Sequence, residues 1–334
     1  MSNIIKNRHE LVFWVECLYN NYNGDPDIDN MPRQDLKTKH GFMTDSSLKR
    51  KVRDYVAAAF PEKDGFEIFI ENGKNLNRKI AECCIEAQSG KKVVKSKNSM
   101  EASKIAVEKF WDVRTFGGVL TTGLNAGQVR GPVQFDMPIS YDVVEPNVAT
   151  ITRLAYASGE HTELEAYDID DAKLADDKKR TMGKKTFVPF ALFECHVFIS
   201  ANLAKESGFS EEDLDVLLES ILQMFSFQTS ATKAGVSVVG PVVIFKHVGN
   251  NSNTNLEQKN REALMGCCAA QKLFRLINVV KKNEVEYPRS YKDYDATINL
   301  SKLPVGVEVG FKYEPFENIV WHHISENDEW FKEL

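Results

Sequence analysis

Between residues 188 and 203 the chain alternates residue by residue: Ala191, Phe193, Cys195, Val197, Ile199 and Ala201 on one side, Glu194, His196 and Ser200 on the other. Successive strand side chains point to opposite faces, so this pattern calls for a sheet with one buried face and a layer to cover it. That layer is encoded directly downstream. Ser210 and Asp213 have the spacing of a capping box, and Leu214, Leu217, Leu218, Ile221, Leu222 and Phe225 follow at helical intervals. Residues 238–248 then read as another strand. With 334 residues, 43% hydrophobic and 27% charged, the chain can bury such a core in one elaborated or two modest domains.

The N-terminal half supplies the rest of a sheet. Residues 11–18 read as a buried strand, followed by the turn-rich loop NNYNGDPDIDNMPR (20–33) and a helix to about residue 60, capped by Thr44 or Asp45 and carrying the stripe Leu48, Val52 and Val56. Residues 62–110 are mixed and polar. Helical spacing over 76–87 and 100–111, joined by the basic SGKKVVKSKNS (89–99), marks an insertion. Two strand-like runs, 113–121 and 129–139, surround the glycine-rich GGVLTTGLNAGQVRG (117–131). Residues 142–187 have an acidic middle (YDIDDAKLADDKK, 167–179) and no sustained period, so they read as an excursion that ends in TMGKK (181–185). Without the two insertions the order is strand, helix, strand, strand, helix, strand. This is an α+β order of the ferredoxin-like, RNA-recognition-motif-like kind. Beyond residue 248 the pattern fades.

The chemistry-bearing segment is SSLKRKVR (46–53), which places Lys49, Arg50, Lys51 and Arg53 on the first turns of a helix in a chain of net charge −6. Lys49 and Arg53 share one flank, and a polyanion is the natural partner for it; the plainer reading is a solvated face partly offset by Asp45 and Asp54. Arg114, Arg130, Arg153 and the pair Lys184–Lys185 each sit beside glycines, turns or strand ends, where main chain and cation approach phosphate together.

Other chemistries fit less well. Asp25, Asp27 and Asp29 mimic the start of a calcium loop, yet Asn30 stands at the glycine position and Leu36 at the last ligand position. Gly118 and Gly123 have phosphate-loop spacing, but Leu124 replaces the lysine. His161 and Glu163 lack the cysteine context of a zinc deaminase. Cys17, Cys83, Cys84, Cys195, Cys267 and Cys268 contain no CxxC, so neither a disulfide nor a zinc site is expected. His322 and His323 are adjacent and cannot both face one metal from a strand or helix. One enzymatic reading stays open: Asp25, Asp27, Asp29 and Asp45 holding magnesium for phosphodiester cleavage, against a plain Asx-type turn in NGDPD. The polar start and the short apolar run broken by Glu16 resemble neither a signal peptide nor a membrane span, so a cytoplasmic location is expected.

An ordered set of motifs carries a resemblance: NGDPD (23–27), NMPR (30–33), HGFMTD (40–45) with SLKRKVRDYV (47–56), DVRTFGGVL (112–120), GQVRGPVQF (127–135), ITR (151–153) and TMGKKTFVPFALF (181–193). Together they resemble the type I-C CRISPR Cascade backbone subunit, a crRNA-binding member of the RAMP family. The stretch VECLYNNYN (15–23) departs from the family's glycine- and asparagine-rich run.

The resemblance implies a right-hand-like protein with a ferredoxin-like palm (1–61, 112–141 and 188–334, the last including the C-terminal region), a helical finger-like insertion (62–111) and a thumb-like excursion (142–187). It implies polymerisation head to tail along a crRNA, target DNA reached through the guide, other type I-C Cascade subunits as partners, and no catalytic residue, metal or cofactor. The RNA-binding residues it implies are Arg33, Ser47, Lys49, Arg50, Arg53, Arg114, Gln128, Arg130, Arg153, Met182, Lys184 and Lys185, with Met182 a wedge between bases. A tight strand connection accounts equally well for the glycine motifs around Arg114, Gln128 and Arg130.

Scaffold and nuclease readings part at the acidic loop. Asp25→Ala, Asp27→Ala and Asp45→Ala are expected to leave RNA bound and intact with magnesium present; loss of a magnesium-dependent cut on denaturing gels would reverse that expectation.

Overall fold

A computed structural model describes residues 3–88, 99–155, 181–252 and 254–322. The N-terminal part comprises β1 (His9–Asn20), β2 (Gly24–Asp25), β3 (Met31–Pro32), β4 (His40–Phe42) and α1 (Asp45–Ala59). Next come α2 (Leu76–Glu86), α3 (Ser99–Lys109), α4 (Trp111–Phe116), β5 (Gly117–Val119), β6 (Gln128–Arg130), β7 (Val133–Phe135), β8 (Ile139–Val143) and β9 (Asn147–Arg153). After β10 (Thr181–Ile199) follow α5 (Ala201–Ser207), α6 (Glu211–Gln223), β11 (Val236–His247), α7 (Leu256–Met265), α8 (Ala270–Phe274) and the strands β12 (Ile277–Lys281), β13 (Tyr294–Ile298), β14 (Val307–Lys312) and β15 (Val320–His322).

Helices and an antiparallel sheet are mixed in one fold. The nine-stranded sheet has the order β15-β14-β11-β1-β10-β8-β4, with β7 and β9 also paired to β10. Its centre is β1, which pairs antiparallel with β10 from His9↔Ile199 to Asn20↔Val188 and with β11 on its other side. One face carries Leu11, Phe13, Val15 and Cys17 of β1 with Phe193, Cys195 and Val197 of β10, closed by Leu48, Val52 and Val56 of α1 and by Leu214, Leu217, Leu218 and Ile221 of α6. The capping box of Ser210 and Asp213 forms as its spacing predicts.

The alternation in 188–203 understates the burial. Val12 and Trp14 of β1, Phe190 and Leu192 of β10, and Phe245 of β11 belong to a second core under Leu273 of α8, Tyr294, Ala296 and Ile298. The weakly patterned C-terminal region supplies that cover and adds β14 to the sheet beside β11. Its elements are too short to show a sustained period in the sequence.

Two further expectations change. Residues 113–116 are helical, not strand: α4 is buried along its whole length, and Gly117, at φ +78, ends it. Tertiary contacts override the strand propensity of Val113 and Thr115. The strand starting at 188 begins instead at Thr181 and stops at Ile199, because Ser200 caps α5 through the amide of Leu203 at 3.3 Å. Its first half pairs with β9 from Thr181↔Arg153 to Phe187↔Asn147, so the excursion leaves and re-enters the sheet as a two-stranded ribbon. The acidic 167–179 segment, His161, Glu163, His323 and most of the 89–99 linker lie outside the described residues. Helices α2, α3 and α4 enclose a separate small core of Phe69, Ile80, Cys83, Cys84, Ala106 and Phe110. No described helix is long and apolar enough to cross a membrane.

The second layer is fastened by His196. Its Nδ1 lies 2.6 Å from Asp136 Oδ2 and its Nε2 2.9 Å from Glu194 Oε1, and its ring stacks on Phe274 at 4.1 Å. Burial, the largest influence, lowers its pKa, but the bonds to Asp136 and Glu194 and their charges outweigh it and push the imidazole up to about 9. A group whose pKa rises on folding stabilises fully below its unfolded value of 6.5, and that stabilisation is lost as pH climbs toward 9. His196→Gln should flatten the corresponding decline in unfolding free energy, on the order of 3 kcal/mol in urea titrations. An unaltered pH profile would count against the clamp.

Candidate nucleic-acid interface

Helix α1 is held at its start from two sides. Thr44 Oγ1 accepts the amide of Ser47 at 3.3 Å, and the Thr44 amide donates to Asn23 Oδ1 at 3.0 Å, which ties the helix to the NGDPD loop. Ser47 Oγ in turn donates to Thr44 O at 2.9 Å. Lys49 Nζ donates to Asp45 Oδ2 at 3.2 Å and to Gln134 Oε1 at 3.0 Å, so α1 is joined to β7. Arg50 pairs with Asp54 at 2.7 Å on the outer, solvated side.

Arg53 is positioned differently. Its Nε donates to Asp112 Oδ2 at 2.7 Å, its guanidinium lies 5.0 Å from the Phe116 ring centroid, and the residue is 8% exposed. Asp112 also accepts the amides of Phe69 at 2.6 Å and Ile70 at 3.1 Å. Among the described residues neither terminal nitrogen of Arg53 has a hydrogen-bond partner, and neither is sealed from solvent. The result is a recessed cation that shares the Phe116 ring with Lys49 and keeps both terminal nitrogens without a hydrogen-bond partner among the described residues.

The glycine motifs pack beside Phe116, the residue whose ring Arg53 covers. Strands β5 and β6 pair as Gly117↔Arg130, Gly118↔Val129 and Val119↔Gln128. A Cβ at Gly131 would stand 2.0 Å from the Phe116 carbonyl carbon, and one at Gly117 2.4 Å from the Gly131 nitrogen. Only glycine permits this approach of two main chains, and Gly117 also needs its positive φ. Gln128 and Arg130 are exposed on the hairpin.

Arg114, grouped with these residues on sequence grounds, turns inward. Its Nε and Nη2 grip Asp213 at 3.0 and 2.8 Å, while Nη1 donates to Val107 O at 2.7 Å and Nη2 to Gly65 O at 3.0 Å. It therefore joins the α2–α3 region to α6, and its donors are fully engaged. Arg33 is held by Asp25 at 3.0 Å.

The ribbon carries a second group. Cross-strand pairing puts Met182 opposite Thr152 and Lys184 opposite Thr150 on one face, with Arg153, Ile151 and Lys185 on the other. Met182 is 75% exposed and Lys184 is exposed, whereas Lys185 Nζ donates to Ala231 O at 3.2 Å and Arg153 Nε to Ala155 O at 3.1 Å. No described side-chain hydrogen bond joins the ribbon group to the α1 group.

Within the acidic loop, Asp25 accepts the Asp27 amide at 3.1 Å and heads a short 3-10 helix with Pro26 in its first turn, as an Asx turn requires. Asp45 is committed to Lys49 and Ser46; burial, its largest influence, raises the carboxyl's pKa, but these partners and the Ser46 amide bring it below the ordinary value. No group of three or more His, Cys, Asp or Glu side chains among the described residues is arranged to hold a metal ion. Asp112, Phe116 and Gln134 were not singled out from sequence, because what gives them weight is tertiary proximity to α1.

The fold around these residues is a mixture of helices and an antiparallel sheet. The chain belongs to the family of CRISPR-associated protein Cas7, whose model matches residues 7–299. The CRISPR-associated protein Cas7 of Haloferax volcanii is 26% identical over 232 residues, which are 63% of this chain and 62% of that relative. The chain thus spans under two thirds of the curated relative's length. Among solved structures it is similar to a chain of a CRISPR RNA-guided surveillance complex, pre-nicking, at TM-score 0.44 and 15% identity, covering 78% of this chain and 84% of that one. A CRISPR RNA-guided surveillance complex chain follows at TM-score 0.40 and 14% identity, with 80% of each covered.

Inward and outward arginines separate in a stability measurement. Arg114→Met leaves Asp213 buried without its partner and should cost about 3–5 kcal/mol, whereas exposed Arg130→Gln should change urea unfolding by less than about 0.5 kcal/mol.

Proposed function

We propose that this chain is a non-catalytic, guide-RNA-binding backbone subunit of a type I-C CRISPR interference complex. It binds the sugar-phosphate backbone of the crRNA, presents the guide for pairing with target DNA, stacks head to tail with copies of itself, and contacts other type I-C subunits in the cytoplasm. The observation that carries this reading is the Arg53 guanidinium and its surroundings. A nine-tenths buried guanidinium whose terminal nitrogens have no partner among the described residues, sharing the Phe116 ring with Lys49 beside a hairpin of close-approaching glycines, suits a phosphate. Cations and main chain recognise phosphate without reading bases, as any subunit accepting arbitrary guides must.

The fold supports the finer architecture. β1, α1, β7–β8, β10, α6 and β11 follow the strand-helix-strand-strand-helix-strand order, and β11-β1-β10-β8 stand side by side in the sheet, as a ferredoxin-like palm requires. Helices α2 and α3 make the finger and the β9–β10 ribbon the base of the thumb. Lys49, Arg50, Arg53, Gln128 and Arg130 line the guide on the palm, with Ser47 and Arg33 supporting. Met182, Lys184, Lys185 and Arg153 meet it from the thumb. Arg114 acts from within, as a positioning residue.

Replacing Lys49 and Arg130 with glutamine should weaken binding of all single-stranded RNAs alike and reduce the log-log salt slope by about 1.4, at about 0.7 per lost contact. Fluorescence anisotropy across a salt series measures it. Loss confined to one RNA sequence would contradict backbone recognition.

A further inference from the structure

The central strand β1 ends on a strained tyrosine. Tyr19 stands at φ +45, in the left-handed region that glycine and asparagine enter readily and a bulky side chain does not. The register shows why the main chain turns here: Leu18 pairs with Phe190 and Asn20 with Val188, and Tyr19 falls beside Pro189, which has no amide hydrogen to give the ladder. The chain is crowded as well. Leu18 donates its amide to Gly235 O at 2.7 Å, and a Cβ at Gly235 would stand 2.0 Å from Leu18 O. These constraints account for the conformation, but not for a tyrosine in it.

The side chain gains little from the fold. Tyr19 is 58% exposed, no described hydrogen bond uses its hydroxyl, and its ring meets that of Phe187 at the root of the ribbon, with centroids 6.3 Å apart and planes inclined by 36°. Strand alternation extends the series Leu11, Phe13, Val15 and Cys17 to Tyr19, and the series Phe193 and Ala191 back to Phe187 and Lys185. The ring pair therefore lies on the side of the sheet that α1 covers. Lys185, two residues from Phe187 on the same face, places one of its three donors on Ala231 O at 3.2 Å and pairs with no described carboxylate. Arg153 lies further along that face, opposite Thr181. An open aromatic face with cations along the same strand is the arrangement that takes single-stranded nucleic acid, bases on the rings and phosphates on the cations.

We propose that Tyr19, backed by Phe187, is a stacking platform for one nucleobase of the single-stranded guide at the root of the ribbon, with the adjoining phosphate on Lys185. Every base has a π-face, so the contact admits any guide sequence. Stacking on the exposed ring uses the face that the fold leaves bare and offsets the strain of holding a tyrosine at positive φ. The inference rests on the guide-binding reading above and adds a residue that touches a base instead of a phosphate.

The test is anisotropy titration of the full chain with two unstructured single-stranded RNAs, one U-rich and one of mixed sequence, across a salt series. Tyr19→Asn removes the ring and accepts the positive φ, so its melting temperature should not fall. It should weaken binding of both RNAs by about tenfold and leave the log-log salt slope at the wild-type value, because no phosphate contact is lost. Tyr19→Phe should bind as the wild type does, and Tyr19→Leu, strained alike but without a ring, as Tyr19→Asn does. Equal affinities of the Phe and Leu variants, in a protein whose wild type binds RNA, overturn the platform alone, whatever their melting temperatures. Wild-type protein with no salt-dependent RNA affinity overturns the guide-binding reading and the platform with it.

Discussion

Two opposite charges two residues apart on the short buried helix α4 hold the layers of this protein in register. Asp112 takes Arg53 of α1 and the amides of Phe69 and Ile70, and Arg114 takes Asp213 of α6 and the carbonyls of Gly65 and Val107. Neither ion could be buried alone, since the desolvation of a carboxylate or guanidinium costs several kcal/mol unless its lone pairs or protons are met. Each is met several times over. The basic flank of α1, the base of the α2–α3 insertion and the covering helix α6 are thereby set relative to one another through a single six-residue element.

The pattern of the chain revealed those parts whose order is local. The capped helix at 45, the capping box at 210 and the central strands follow from spacing and cap chemistry, and all three form. The second core escaped detection because Phe190 and Leu192 read as an ordinary continuation of a one-faced strand, and only the C-terminal layer makes them interior. Arg114 misled for a related reason. Beside GG and before a strand-like run it has the look of a surface cation, and nothing in its neighbourhood announces Asp213, 99 positions later. Where function depends on which arginine faces in and which faces out, sequence gives candidates and tertiary pairing chooses among them.

Charge bookkeeping follows the same division. The chain is acidic overall at −6, yet several of its cations are neutralised in place, as Arg114, Arg33 and Arg50 show. On α1 too, Lys49 and Arg53 each pair with an aspartate, at 3.2 and 2.7 Å.

The pairing of β1 also governs how the protein is made. β1 has its partners in β10 and β11, the nearer roughly 180 residues downstream. At ordinary elongation rates of about 5–20 residues per second, β1 waits on the order of 10–40 s before either neighbour exists. The small core of α2, α3 and α4 is assembled from sequence neighbours and needs no such delay. During synthesis the insertion can therefore become native before the sheet does, and the apolar Val12, Phe13, Trp14 and Val15 stay uncovered until β10 and β11 arrive.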